Sequence, residues 1–84
     1  MFEVIFSSQA AKFLKKSDRA LAKRVIEKIE SLKTDPWGYG AKKIVGKDKL
    51  FRIRVGDYRV LYTIISESKT ILIDKIDKRS RVYG

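Results

Sequence analysis

The sequence contains no cysteine and no histidine. Without cysteine the chain cannot form disulfides, zinc–thiolate sites or a thiol nucleophile. Without histidine it cannot build a Ser-His-Asp triad or use imidazole as a base or metal ligand. We therefore expect no metal site and no cofactor, and any catalysis must use other side chains. Lack of cysteine is typical of the reducing cytoplasm, which is the expected location.

Long apolar runs are also missing, and there is only one proline. No segment approaches the roughly 20 apolar residues that a membrane-spanning helix needs. The N-terminal apolar run is short and contains Glu3, which is unlike a signal peptide. With 84 residues, the chain is predicted to form a single domain over residues 1–84.

Positive charge is what the sequence has in excess. Lysine and arginine number 20 against 10 acidic residues, for a net charge of +10. Such an imbalance favours a polyanionic partner, either nucleic acid or a very acidic protein. Five of the seven arginines lie in the C-terminal half, and arginine is well suited to bidentate phosphate binding. The alternative is a basic surface that serves only solubility.

Apolar spacing predicts the order of the elements. Phe2, Val4 and Phe6 alternate as in a strand, and Ser7 or Ser8 can cap a short helix after it. A second helix begins after Asp18, with Leu21, Val25, Ile26, Ile29 and Leu32 on its apolar face. The charged residues on its other face, including Arg24 and Lys28, indicate an ordinary solvated surface.

The second helix must end where Pro36 and two nearby glycines follow. Three strands are then predicted, over Leu50–Val55, Tyr58–Ile65 and Thr70–Ile76. The fold class is therefore α+β, with an N-terminal strand, a two-helix layer and an antiparallel three-strand meander. The aromatic residues expected in the core are Phe2, Phe6, Phe13, Tyr58 and Tyr62.

A two-residue turn at Gly56-Asp57 would set the register of the first hairpin. Val55 would then pair with Tyr58, and Arg54 with Arg59. Because alternate strand residues point to opposite faces, Arg52, Arg54 and Arg59 would share one face. Two directly opposed arginines repel each other, so this arrangement favours an anion bound over the sheet. A solvated sheet face remains the alternative reading.

Two segments resemble the RelE/ParE superfamily of toxins from toxin–antitoxin pairs. One runs from Phe51 to Tyr62, and the other is the closing motif from Ile76 to Tyr83, in which Arg79 precedes Tyr83 by four residues. The resemblance covers nearly the whole chain. It implies a microbial-RNase-like fold and, for the RelE branch, cleavage of mRNA in the ribosomal A site.

The same resemblance implies the site residues. Arg52 and Arg54 stand at basic positions of RelE-type toxins, where lysine is common, and the other matches are Arg59, Arg79 and Tyr83. We expect this set to be catalytic. Additional RNA-binding charge is expected from Arg81, Lys78, Lys49 and Lys47.

The expected chemistry is attack of the RNA 2′-hydroxyl on the adjacent phosphate. Arginines can position and neutralise the phosphate but stay protonated, so they are poor general bases. Tyr83 would either take part in proton transfer or stack on a base. Because an ordinary acid–base pair is missing, we expect cleavage to depend on the ribosome.

The expected partners are a RelB-like antitoxin, in a toxin–antitoxin hetero-oligomer, and the ribosome with its mRNA. Two other functions stay open at this point. One is a ParE-like inhibitor of DNA gyrase without nuclease activity. The other is a non-catalytic RNA-binding module that uses the basic sheet only for affinity.

Overall fold

The computed structural model describes residues 1–38, 40–44, 46 and 49–78. They form two α-helices, five strands and a short 3₁₀ helix (Ser66–Ser68) between the last two strands. The elements are β1 (Glu3–Phe6), α1 (Ser8–Lys16), α2 (Arg19–Leu32), β2 (Lys42–Lys43), β3 (Leu50–Val55), β4 (Tyr58–Ile65) and β5 (Thr70–Lys78). Neither helix of the described chain has the length and apolar character to cross a membrane.

Both helices begin at the polar residues that the sequence marks as caps. The Ser7 hydroxyl accepts a hydrogen bond from the Ala10 N–H at 3.1 Å. The Asp18 carboxylate accepts one from the Leu21 N–H at 2.8 Å. Each side chain satisfies a backbone donor that has no partner within its helix. The predicted starts of both helices are confirmed.

The sheet has the strand order β1-β5-β4-β3-β2. The meander of β3, β4 and β5 is antiparallel, as predicted, and β1 joins its far edge parallel to β5. Three details were not predicted, and the first is the parallel pairing of β1 with β5. Lys42 and Lys43 form a short fifth strand against Arg52 and Phe51, and β5 runs two residues beyond Ile76.

The core lies between the helices and one face of the sheet. It comprises Ala10, Val25, Ile29, Leu32, Ile53, Val55, Val60, Tyr62, Ile64, Ile71, Ile73 and Ile76. Two predicted core positions are wrong. Phe6 is 38 % exposed, because β1 is an edge strand, and Ile26 is 42 % exposed, because it lies at the margin of the apolar stripe of α2.

The side chain of Gln9 extends the pairing of β5 beyond the end of β1. Its amide nitrogen donates to the Ile76 carbonyl at 3.0 Å, and its amide oxygen accepts from the Ile76 N–H at 3.0 Å. The neighbouring Ser7 hydroxyl donates to the Asp74 carbonyl at 2.7 Å. These contacts attach the start of α1 to the strand that leads toward the C-terminus.

Candidate functional site

Three arginines lie on the sheet face opposite the helices. The β3–β4 register pairs Val55 with Tyr58, Arg54 with Arg59, and Arg52 with Leu61, as predicted from the Gly56-Asp57 turn. Because Ile53 and Val55 are buried against the helices, Arg52 and Arg54 project from the other side. We call this surface, carrying Arg52, Arg54 and Arg59, the arginine face.

The three arginines differ in exposure. Arg54 is exposed, Arg52 is half-buried, and Arg59 is only 1 % exposed. The sequence pattern places Arg59 on this face but does not predict that it is buried. Solvent therefore reaches the side chains of Arg54 and Arg52 but not that of Arg59.

Neighbouring strands add charges of both signs to the arginine face. Lys42 of β2 is opposite Arg52, and the β4–β5 register places Lys75 opposite Leu61 and Asp77 opposite Arg59. The Asp77 carboxylate lies 3.8 Å from the Lys75 ammonium. The sequence pattern does not predict that Lys42 lies here, because a two-residue strand has no recognisable alternation.

Asp74 lies at a bulge between β4 and β5. The register shifts after Leu61, so that Tyr62 pairs with Ile73 and Asp74 is the extra residue. Its carboxylate accepts a hydrogen bond from the Thr63 hydroxyl at 2.6 Å. Within the described chain, no three acidic side chains gather as a metal site would require.

Two of the predicted RNA-binding lysines lie away from the arginine face. Lys78 pairs with Tyr58, whose ring contacts Phe13 of α1 with centroids 5.5 Å apart, so Lys78 belongs to the helix side. Lys49 precedes β3 at the end remote from Arg54, and its ammonium lies 3.6 Å from the Glu67 carboxylate. The other predicted residues, namely Lys47, Arg79, Arg81 and Tyr83, lie outside the described residues.

Tyr62 is a structural residue and not a candidate for proton transfer. Its ring is fully buried on the helix side of the sheet, and its hydroxyl donates to the Pro36 carbonyl at 2.8 Å. Burial, and secondarily the negative charge of Asp35, raise the pKa of Tyr62 from 10.0 to about 12. The phenol therefore stays neutral and holds the loop after α2 against the sheet.

Tyr62 should make stability fall at high pH. Its pKa is near 10 in the unfolded chain and about 12 in the folded protein, so ionisation favours unfolding. The stabilising contribution is complete below pH 10 and is lost as the pH rises through 12. Tyr62→Phe should cost about 1–3 kcal/mol at neutral pH, because the Pro36 carbonyl loses its donor.

Urea unfolding of both proteins at pH 8 and pH 11 checks this prediction. The difference in free energy of unfolding between wild type and Tyr62→Phe should shrink at pH 11. The effect of lysine titration on stability cancels in this difference, because both proteins carry the same lysines. An equal difference at the two pH values would contradict it.

Comparison with known proteins places the chain in a family. Residues 4–83 match the model of the ParE toxin of the type II toxin–antitoxin system parDE. A Methanocaldococcus jannaschii protein named "Putative toxin RelE1" is 33 % identical over 85 residues, which cover 98 % of this chain and 94 % of that protein. This chain therefore belongs to the RelE/ParE family of toxins.

Solved structures share the fold. The archaeal RelE–RelB complex from Pyrococcus horikoshii contains a chain that is 30 % identical, with a TM-score of 0.83, covering 95 % of this chain and 97 % of that one. A chain of the RelBE2 toxin–antitoxin complex of Mycobacterium tuberculosis is 29 % identical, with a TM-score of 0.80. The match covers 93 % of this chain and 98 % of that one. The isolated Escherichia coli RelE toxin is 22 % identical, with a TM-score of 0.84, and the match covers 99 % of this chain and 92 % of that one. At this level of identity the likeness shows only that the two proteins share a fold.

Proposed function

We propose that this protein is the toxin of a toxin–antitoxin pair and that it cleaves mRNA in the ribosomal A site. The observation that carries the proposal is the pairing of Arg54 with Arg59, with Arg52 on the same sheet face. Like charges directly opposite each other destabilise a sheet. Their presence is understandable if a phosphate group binds over this face during function, held by Arg54 and Arg52.

The arginine face suits phosphate positioning and charge stabilisation. When the 2′-hydroxyl of RNA attacks the neighbouring phosphate, negative charge grows on the non-bridging oxygens. The guanidinium groups of Arg52 and Arg54 would donate to those oxygens, and the buried charge of Arg59 would add to the local positive potential. These are the contributions that need no deprotonated side chain.

Proton transfer needs another group. Arginine stays protonated at neutral pH, and the Tyr62 phenol faces the core, where burial raises its pKa to about 12. We assign proton transfer to Tyr83 of the closing motif, which lies outside the described residues, with Arg79 as a further phosphate ligand. A site with so few acid–base groups depends on the ribosome to hold the message in a reactive geometry.

The proposed partner that restrains this activity is a RelB-like antitoxin. Relatives of this chain have been solved as RelE–RelB complexes, including the one from Pyrococcus horikoshii. With a net charge of +10, the toxin would attract an acidic or amphipathic segment by charge complementarity. Such a hetero-oligomer, acting on cytoplasmic ribosomes, is the assembly that we propose.

The proposal is tested by adding the purified protein to programmed ribosomes and mapping message ends by primer extension. We expect cuts at the A-site codon of ribosome-bound message and almost none in the same RNA without ribosomes. Efficient cutting of naked RNA would overturn the ribosome dependence. No cutting in either sample by folded protein would overturn the nuclease assignment.

Inhibition of DNA gyrase is the second candidate, because the matching family model describes the ParE toxin of parDE. It predicts inhibited supercoiling by gyrase and intact messages. A supercoiling assay on the same protein preparation separates it from the leading candidate.

A further inference from the structure

A basic groove lies between α2 and the edge of β3, beside the arginine face. It consists of two adjoining cavities, of about 480 Å³ and about 310 Å³. Arg54 and Lys28 line both cavities, so the two lie side by side. We call it the α2–β3 groove, and its basic lining residues are Arg24, Lys28, Lys42, Arg52 and Arg54.

The helix places its two basic residues toward this groove by simple periodicity. Arg24 and Lys28 are one turn apart, and Ser31 follows on the same face of α2. Lys28 is half-buried, whereas Arg24 is exposed. What the sequence pattern indicates as a plain solvated face is therefore one wall of a groove.

Arg24 reaches the turn between β3 and β4. A Cβ atom built on Gly56 would lie 2.9 Å from one terminal nitrogen of the Arg24 guanidinium. Gly56 also has a positive φ of 60°, a backbone conformation that glycine adopts without strain. The missing side chain at Gly56 thus gives the Arg24 guanidinium room against the backbone, close to Arg54.

The groove holds an excess of positive charge without internal neutralisation. Among the described residues that line it, Glu27 is the only acidic one. Among the residues that the structure describes, the ion pairs are Lys33–Glu30, Lys49–Glu67 and Lys75–Asp77, and none involves a groove residue. Five cations around one carboxylate repel one another unless an anion lies between them.

We propose that the α2–β3 groove is a second RNA-binding subsite, in which Arg24 and Lys28 hold backbone phosphates of the RNA chain that crosses the arginine face. This inference rests on the proposed function and deepens it by adding a path for the RNA beyond the reactive phosphate. Arg54 and Arg52 belong to both the arginine face and the α2–β3 groove, so one RNA chain can pass from the first surface to the second.

The lining favours RNA over an acidic protein segment. A peptide that binds in a groove needs apolar anchors in pockets. The aliphatic residues lining this groove, Ile53 and Val55, are 1 % and 7 % exposed, so their side chains are committed to the core. A phosphate backbone needs only cations and hydrogen-bond donors, which are what the groove offers.

The test compares two double variants of the full-length protein. Arg24→Gln with Lys28→Gln removes both helix cations from the groove. The matched control, Arg19→Gln with Lys23→Gln, removes one arginine and one lysine at the same spacing on the same helix, outside the groove. The probe is a labelled 12-nucleotide single-stranded RNA with 2′-O-methyl groups, which cannot undergo 2′-hydroxyl attack. Affinity is measured by fluorescence anisotropy at several salt concentrations.

The groove variant should bind this RNA roughly ten- to thirtyfold more weakly at 0.1 M salt, with a log–log salt slope smaller by about 1.4, which corresponds to two lost phosphate contacts. The control should change affinity less than about threefold, since screening weakens its distant charges. Equal losses in both variants, or no RNA binding by the wild type, would overturn the proposal.

A 12-residue polyglutamate peptide is the second probe. If the groove variant loses as much affinity for this peptide as for RNA, the groove is assigned to an acidic protein partner and the proposal is overturned. Because the RNA probe cannot be cut, binding and cleavage are scored separately. Selective loss of RNA binding without cuts on ribosomes would support the subsite while the proposed nuclease function fails.

Discussion

Arg54→Ala is expected to lower cleavage of ribosome-bound message by about 10²–10³-fold, the usual cost of removing one donor to a developing negative charge. Arg54 is the exposed member of the arginine face. It also lines the α2–β3 groove, so its loss affects both the reactive phosphate and the RNA that leads to it. The measurement is the rate of A-site cuts by primer extension.

The same substitution should not destabilise the fold. Arg54 lies directly opposite Arg59, and removing one of two like charges on neighbouring strands is expected to raise the free energy of unfolding by up to about 1 kcal/mol. Lost activity together with unchanged or higher stability is the signature of a functional residue. Urea unfolding supplies this second readout.

Two control variants make the Arg54 prediction specific. Arg19→Ala removes the same charge from the exposed start of α2 and should leave cleavage within about threefold of wild type. Arg54→Lys keeps the charge but loses the bidentate geometry, and it should recover only part of the activity. Normal cleavage by Arg54→Ala would contradict the assignment of the arginine face.

The shared face of the arginines could be predicted from the sequence because a short turn determines a register. Gly56-Asp57 leaves one way to pair β3 with β4, and strand alternation then places Arg52, Arg54 and Arg59 together. The starts of the helices could be predicted for a similar reason, since Ser7 and Asp18 accept hydrogen bonds from backbone N–H groups only three positions away. In these cases, residues close together in the sequence were sufficient to predict the structure.

Features that depend on tertiary packing could not be predicted in this way. The burial of Arg59 depends on tertiary packing, which no strand pattern encodes. Lys42 becomes part of the site only because two residues pair with the edge of β3. The sequence predicts that Lys78 binds RNA, but it does not predict that β5 extends beyond Ile76 and pairs Lys78 with Tyr58 on the helix side.

The α2–β3 groove also could not be predicted from the sequence pattern of a helix. Periodicity tells which residues of α2 share a face, and it separated the apolar stripe of Val25 and Ile29 from Arg24 and Lys28. It cannot tell whether a polar face meets solvent or the edge of a strand. The Arg24 guanidinium occupies space beside Gly56 that a Cβ atom there would need, and these residues are distant in sequence, so only the folded structure reveals their proximity.

Tyr83→Phe is expected to lower cleavage by about 10²–10⁴-fold, the range for loss of a general acid or base. The hydroxyl is the only group removed, and a phenylalanine ring can still stack on a base. As a general rule, positive charge near a tyrosine favours the phenolate and lowers the pKa of the phenol from about 10. Tyr83 lies outside the described residues, so the prediction rests on the closing motif and on this electrostatic argument.

Three variants separate the two roles of Tyr83. If it transfers protons, Tyr83→Phe and Tyr83→Ala lose activity equally, and the pH dependence of cleavage loses the limb that the phenol provides. Near-normal activity of Tyr83→Phe beside an inactive Tyr83→Ala would overturn proton transfer in favour of stacking. Arg79→Ala should lower the rate by about 10²–10³-fold without changing that pH limb, because a phosphate ligand stabilises charge and does not titrate.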